Sequence, residues 1–526
     1  MRLPFILEKA LSLYADKEAV ISGENRFTYR QFARRVFCLA GFLKSRGIGP
    51  GHRVAILHPN THEFLECYFA AAELGAILVP LNSRLSPVEL GRIMKDSGAV
   101  FLVFAHVFLS RAAAVLADQT LISGSLCSGA GDGPFPPGTV DYEKALEGGD
   151  LDRPRAIEGD DDEIAHLYYT SGTTGEPKGV ALSHKNVSFH ALAAIAELRL
   201  CDADVWIHAA PLFHLADAWA AFAVTWVGGT HVMTGDFEPG PVLSAMENER
   251  VTITNMIPAM LNMLLHDPGV KNRDFSGLRL ILSGGAPMAP ALVKKIMETF
   301  KCDYCQTYGM TETSPYLALS ILKDNLARLD SDQRFFYKAK TGRPFLGTLL
   351  KVAREDGSEV ARDDEEVGEI MVRGDIVTKG YWNKPAETSR AFKDGWLRTG
   401  DMAVIDREGY VNIVDRKKDM IITGGENVYS IEVENVLYSH PAILEAAVIG
   451  VPDPQWGEAL TAVVSLKEGH EAREDEIIGY FKSRGDIAGF KIPKSVIFVP
   501  GLPKTGSGKI SKKKLKEKWA KPGDGP

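Results

Sequence analysis

A chain of 526 residues exceeds what one hydrophobic core usually serves, so two or more domains are expected, one much larger than the rest. Its 45% hydrophobic and 24% charged residues lie in the ordinary globular range, which excludes a disordered, collagen-like or disulfide-stapled chain. A net charge of -8 with no arginine-rich stretch in the body speaks against nucleic acid as a partner, because phosphate backbones need clustered positive surface.

In chain order, the N-terminal Met1 to Lys17 has an apolar run too short for a signal-peptide core, so export is not expected. Tyr29 to Arg46 has helical spacing, Arg53 to Leu57 is a short apolar strand, and Glu63 to Leu74 is helical again. That rhythm predicts an α/β fold with largely parallel sheets. The stretches Val100 to Leu109 and Ala218 to Val227 fall short of the roughly 18 apolar residues that span a bilayer, so they are read as core and no membrane span is expected. From Ser123 to Asp162 the composition shifts to Gly, Pro, Ser and acids, which predicts a surface connection. A strand over Ile164 to Tyr169 follows, and Leu278 to Met288 reads as a buried strand running into a glycine turn. Beyond Gly347 the segments shorten (Thr348 to Ala353, Glu369 to Gly374, Gly409 to Val414), as antiparallel structure does. A break near Asp415 to Asp419 leaves a C-terminal part with its own strand and helix pattern, ending in a basic, solvated helical tail at Lys512 to Lys518. The six cysteines are unevenly spaced and read as reduced thiols of a cytoplasmic protein; Cys302 and Cys305 lack the further ligands that zinc needs and are placed in a buried strand.

The sharpest chemical signal is Tyr169-Thr-Ser-Gly-Thr-Thr-Gly-Glu-Pro-Lys-Gly-Val180, directly after a strand. Glycines let backbone N–H groups approach phosphate, hydroxyls donate hydrogen bonds, and Lys178 adds compact positive charge. The order Lys178-Gly179-Val180 departs from the Gly-Lys-Ser/Thr ending of a Walker loop, which disfavours a P-loop NTPase.

This loop resembles the phosphate-binding loop of the adenylate-forming superfamily, which contains acyl-CoA synthetases, luciferases and peptide adenylation domains. Further stretches similar to that superfamily follow in order: Pro211-Leu-Phe-His214, Ser283-Gly-Gly-Ala-Pro287, Tyr308-Gly-Met-Thr-Glu312, Thr399-Gly-Asp401, Asp415-Arg-Lys-Lys-Asp-Met-Ile421 and Pro503-Lys-Thr-Gly-Ser-Gly-Lys509. The resemblance implies an α/β fold with a large N-terminal domain holding parallel-rich sheets and a β-barrel-like subdomain. A small mobile α+β C-terminal domain would follow it. The expected division is 1–415 for adenylation, 416–418 as hinge with Lys418 as pivot, and 419–526 as the mobile domain.

The resemblance further implies ATP, Mg²⁺ and coenzyme A as reaction partners. Thr170, Ser171, Gly172, Thr173, Thr174, Gly175 and Lys178 would surround the phosphates. Gly284, Gly285, Ala286 and Pro287 would face Tyr308 across a slot for adenine, continued by Gly309 and Met310. Thr311 would touch the α-phosphate, Glu312 would hold Mg²⁺, and Asp401 with Arg416 would reach the ribose. Lys509, Thr174, His214 and Glu312 are the catalytic set, Lys509 supplying the cation that stabilises the charge built up when a carboxylate attacks the α-phosphate. Gly424, Gly425, Trp456, Phe490 and Lys494 would contact coenzyme A, although Trp456 and Phe490 also read as plain core aromatics.

His214, Leu215, Trp219, Met256, Gly309 and Pro315 would line an apolar acyl pocket, with His214 as a gate. The implied reaction joins a medium-chain, alicyclic or aromatic acid to coenzyme A through an acyl adenylate; loading of a separate carrier protein is the alternative. Asp217 stays open as a partner for a substrate amine, and a homodimer as one form of assembly.

Overall fold

Two mainly parallel sheets form the larger part of the molecule. One runs in space through Thr139–Asp141, Gly124–Ser128, Phe101–Ala105, Arg53–Leu57, Ile77–Pro80, Ile164–Ser171 and Pro177–Ser183. The other runs through Arg343–Pro344, Tyr316–Leu319, Asp303–Gly309, Leu280–Gly284, Ile253–Met256, Val205–His208, Thr230–Met233, Glu18–Ser22 and Asn25–Thr28. The computed structural model describes all residues except 119–121, 130–134, 148–158, 172–176, 287, 289, 485–486, 506–508 and 520–526.

Helices start where the sequence supplies caps. Thr28 with Gln31, Ser86 with Glu89 and Ser183 with Asn186 form reciprocal capping boxes for Tyr29–Ser45, Pro87–Ser97 and His184–Leu198. The helix His62–Glu73 is buried along its whole length in the largest apolar core. Burying an acid there requires partners: Glu66, 0% exposed, accepts from Arg35 Nε (2.6 Å) and Tyr142 (2.7 Å) and lies 2.9 Å from His62 Nδ1.

The antiparallel part expected beyond Gly347 is a five-stranded sheet of Thr348–Ala353, Gly368–Gly374, Phe392–Lys393, Trp396–Ile405 and Val411–Arg416. A turn closed by the N–H groups of Asp419 and Met420 on the Arg416 carbonyl leads out of it. A second five-stranded sheet follows, made of Ile421–Thr423, Glu426–Val428, Ile443–Asp453, Gly457–Leu466 and Ser495–Phe498. It has its own core, in which Val433, Leu437, Ile477 and Phe481 of two helices pack on the sheet. At the junction Asp415, 1% exposed, accepts from the hydroxyl of Ser430 (2.7 Å), the N–H of Ser430 and the N–H of Arg416 (2.7 Å). Lys512 in turn donates to Ser430 Oγ and pairs with Glu434 (2.7 Å).

One expectation changes. The region read as a surface connection contains two strands of the seven-stranded sheet and the helix Tyr142–Glu147. Its small residues are what let Gly124–Ser128 pack against the sheet, and Ser125 and Thr139 pair their hydroxyls at 2.7 Å. After His214 come two helices, Leu215–Ala218 and Ala220–Val227, that meet at Trp219, whose indole N–H turns to the Ala216 carbonyl and the Tyr316 hydroxyl, both at 3.0 Å. Asp401 lies inside the strand Trp396–Ile405, beside a bulge. Cys305 does sit in a buried strand, Cys302 just before it, and burial pushes both thiols up to about 12.

Candidate active site

The carboxyl ends of the parallel strands Leu280–Gly284 and Asp303–Gly309 converge on one region, the edge where α/β sheets bind ligands. Both end in glycine for steric reasons. A Cβ on Gly284 would sit 2.3 Å from Thr307 Oγ1, and one on Gly309 only 1.8 Å from the Pro315 carbonyl oxygen. The Pro315 carbonyl is held there by the N–H of Met310 (3.0 Å). Gly285 has φ +90, and a Cβ on it would approach Lys509 Cε to 3.2 Å. Lys509, from the far end of the chain, therefore lies directly on the glycine turn. Gln306 Nε2 fixes the turn by donating to the Ala286 carbonyl (2.9 Å).

Tyr308 and Asp401 are joined: the tyrosine hydroxyl donates to Asp401 Oδ2 at 2.7 Å, and Arg416 Nε lies 3.2 Å from Oδ1. Burial, with the Asp401 charge adding to it, raises the Tyr308 hydroxyl well above its ordinary value, so it remains a donor. Lys509 shares this neighbourhood. Burial and the nearby Arg416 lower its ammonium to about 8, against the opposing pull of Asp401.

Glu312 stands on the turn Thr311–Thr313 and is 7% exposed. Tyr381 donates to its Oε1 at 2.8 Å, and the charges of Lys178 and Arg416 act on it. Burial nevertheless raises its carboxyl above the ordinary value. Lys178 pairs with Thr170 across the hairpin of the phosphate loop, and its Nζ lies 5.3 Å from the centre of the Tyr381 ring. Gly172, Thr173, Thr174, Gly175 and Pro287 lie outside the described residues, as does the side chain of Ser171. Tyr381 is the site residue that sequence reading missed. Its Gly380-Tyr381 context carries no charge or metal-ligand spacing to mark it.

The acyl-pocket residues divide. Leu215 and Trp219 belong to one buried core, together with Tyr316, whereas Met256 faces the opposite side of its strand and packs with Met260 and Leu261. The structure therefore does not bring Met256 together with Leu215 and Trp219. Its neighbour Asn255 points to their side, donating to the Ala216 carbonyl. His214 is half-buried against Phe213, ring centres 4.7 Å apart. Pro315 follows a cis peptide bond from Ser314.

Asp217 is committed elsewhere. It accepts from Trp206 Nε1 (3.0 Å) and faces His208 Nδ1 at 2.8 Å in a fully buried chain. That chain continues from His208 Nε2 to His231 Nδ1 (2.9 Å) and from His231 Nε2 to Thr225 (2.9 Å). Thr225 gives its own proton to the Ala221 carbonyl (2.7 Å), so His231 donates to Thr225 and accepts from His208. One proton is then shared between His208 and Asp217. An aspartate so engaged does not offer itself to a substrate amine.

Of the residues expected to meet coenzyme A, three are neighbours: Gly424 donates its N–H to the Trp456 carbonyl (2.8 Å), and Lys494 Nζ lies 5.2 Å from the Trp456 ring. Phe490 sits in the turn Gly489–Lys491, and Gly425 is exposed. Trp456 and Phe490 are 40% and 38% exposed, so neither is a core aromatic. Lys418 is exposed in the turn between the two five-stranded sheets.

Comparison with known proteins agrees with this geometry. The family model described as AMP-binding enzyme matches residues 7–382, and the AMP-binding enzyme C-terminal domain matches 432–509. A feruloyl-CoA synthase from Amycolatopsis sp. is 38% identical over 95% of this chain and 96% of its own. The long-chain-fatty-acid–CoA ligase FadD13 of Mycobacterium tuberculosis is 35% identical over 95% of this chain and 94% of its own. The solved structure of ATP-bound MatB from Rhodopseudomonas palustris superposes with a TM-score of 0.86 at 30% identity, covering 98% of this chain and 99% of that one. The chain thus belongs to the AMP-binding enzyme family and is an adenylate-forming acid–thiol ligase of the acyl-CoA synthetase kind.

Proposed function

We propose that the chain converts a hydrophobic carboxylic acid, ATP and coenzyme A into the acyl-CoA, AMP and pyrophosphate through an acyl adenylate. The observation that carries this reading is the seat of Lys509 on the Gly284–Gly285 turn, beside Tyr308, Asp401 and Arg416. In the first step an oxygen of the substrate carboxylate attacks the α-phosphorus and pyrophosphate leaves. The nucleophile is already anionic, so no general base is required. The residues must instead offset accumulating negative charge, and Lys509 and Lys178 are the cations suited to that. To Asp401 we assign the ribose and to the Tyr308 face the adenine.

Mg²⁺ suits this site. Among the described residues no group of three or more His, Cys, Asp or Glu converges, and Glu312 is a single buried carboxylate, the protein contribution usual where substrate phosphates supply the other ligands. Such an ion, when bound, neutralises phosphate charge. In the second step the coenzyme A thiol attacks the acyl carbonyl and AMP leaves. For that step we place the hinge at 416–418, with Lys418 as pivot. The swing would turn the surface of Gly424, Gly425, Trp456, Phe490 and Lys494 to the site while His214 stands between the acyl group and the thiol.

The apolar Leu215 and Trp219 and the engagement of Asp217 favour a hydrophobic acid over an amino acid; the similarity to a feruloyl-CoA synthase, 38% against 35% for the fatty-acid ligase, is the ground for proposing an aromatic one. Cysteines that are all free fit a cytoplasmic setting, and no helix among the described residues is long and apolar enough to cross a membrane. The test is AMP release from ATP and Mg²⁺ over paired aromatic and aliphatic acids, with and without coenzyme A. Turnover that needs coenzyme A and prefers one aromatic acid supports the proposal. Adenylate formation indifferent to coenzyme A would favour loading of a separate carrier protein.

A further inference from the structure

We infer that Tyr381 is a positioning residue that aligns the phosphate-loop lysine with the metal-binding carboxylate for adenylate formation, an inference resting on the function proposed above. The backbone around it is tied to both groups. On one side, the N–H of Trp382 donates to the Gly179 carbonyl (2.8 Å), the N–H of Ala181 donates to the Gly380 carbonyl (3.2 Å), and Tyr381 pairs with Val180. These bonds extend the strand that carries Lys178. On the other side, the N–H of Thr378 donates to the carbonyl of Glu312 (2.8 Å).

The segment cannot slide between these anchors. Gly380 has φ +148, and a Cβ there would meet Thr388 Cγ2 at 2.5 Å, while Thr388 Oγ1 accepts the Tyr381 N–H at 3.0 Å. From this fixed backbone the side chain reaches both partners. Its hydroxyl donates to Glu312 Oε1 at 2.8 Å and its ring lies 5.3 Å from Lys178 Nζ. The hydroxyl therefore serves as a donor to the carboxylate, fixed in place by its own backbone. With Oε1 engaged, Oε2 would be the oxygen left to hold a cation. A carboxylate held by one hydrogen bond keeps one rotamer, and loss of such an outer partner typically costs about 10- to 100-fold in metal affinity.

The experiment compares the parent enzyme with Tyr381→Phe and Tyr381→Leu. Mn²⁺ binding is read by electron paramagnetic resonance in the complex with an ATP analogue whose α,β-bridge is a methylene group. We expect Mn²⁺ affinity to fall about 10-fold in Tyr381→Phe and further in Tyr381→Leu, which also loses the ring over Lys178. Adenylate formation should then need correspondingly more Mg²⁺, while thioester formation from supplied acyl adenylate stays within about 2-fold. Unchanged Mn²⁺ affinity in Tyr381→Phe, or equal loss of both half-reactions, overturns the assignment. Tyr381→Phe keeps the ring and carries the test even if the leucine variant does not fold. A parent enzyme that binds Mn²⁺ with the nucleotide yet adenylates no acid would defeat the proposed function alone.

Discussion

In the function proposed above Lys509 acts as a cation, and its ammonium is lowered to about 8. It is charged below that pH and neutral above it, so adenylate formation is predicted to fall as pH rises through about 8. Thioester formation from supplied acyl adenylate should lack that limb. Lys509→Arg should keep activity on the alkaline side, because a guanidinium stays charged there. Lys509→Ala should lower adenylation ~100- to 1000-fold, the usual scale for removing one preorganised electrostatic partner, and spare the second step. Single-turnover rates of each half-reaction against pH check all three. At Gly309 the constraint is steric, not electrostatic. Gly309→Ala drives a methyl into the Pro315 carbonyl, a clash with backbone that no rotamer relieves, and should destabilise the fold by ~2–4 kcal/mol while weakening ATP binding. Denaturant unfolding and nucleotide titration would show it.

At the level of elements, legibility followed how local the cause was. Periodicity placed Tyr29–Ser45 and Arg53–Leu57 nearly to the residue, and the structure brings the glycine turn at Ser283 next to the Tyr308 to Glu312 stretch. What sequence did not show depends on the far side of an element. Met256 and Asn255 are adjacent and both buried, and only the pleat decides that Asn255 shares the face of Trp219. Tyr381 is an ordinary tyrosine until its strand is laid beside Pro177–Ser183. The buried chain of Asp217, His208, His231 and Thr225 likewise links four elements that sequence reading could not pair. Its value is in placing the turn Leu215–Ala218 on the sheet. His208→Leu should cost ~3–5 kcal/mol, because it strands a buried carboxylate without its partner. Asp217→Asn, which retains an acceptor for Trp206, should cost less. Urea unfolding of the two variants orders them.

Across the whole molecule, the small C-terminal part delivers Lys509 to a site otherwise built by the two large sheets and the strand of Asp401. On the function proposed above this is the adenylating arrangement, with Lys509 on the Gly285 turn. The exposed ring of Trp456, with Lys494 beside it, lies outside those contacts. The proposal thus gives the two half-reactions two faces of one C-terminal part.

The hydrogen bonds from Ser430 to Asp415 cross that pivot, the aspartate before Lys418 and the serine after it. On the hinge proposed above they would act as a clutch, holding the arrangement that receives ATP, and releasing them would leave a buried carboxylate to be rehydrated before the thiol is served. One such hydroxyl bond is worth ~1 kcal/mol, about a 5-fold bias in the resting population. Ser430→Ala, which keeps the backbone bond but not the hydroxyl, should quicken thioester formation from supplied acyl adenylate by about that factor. An unchanged rate would mean that the latch releases before the slow step.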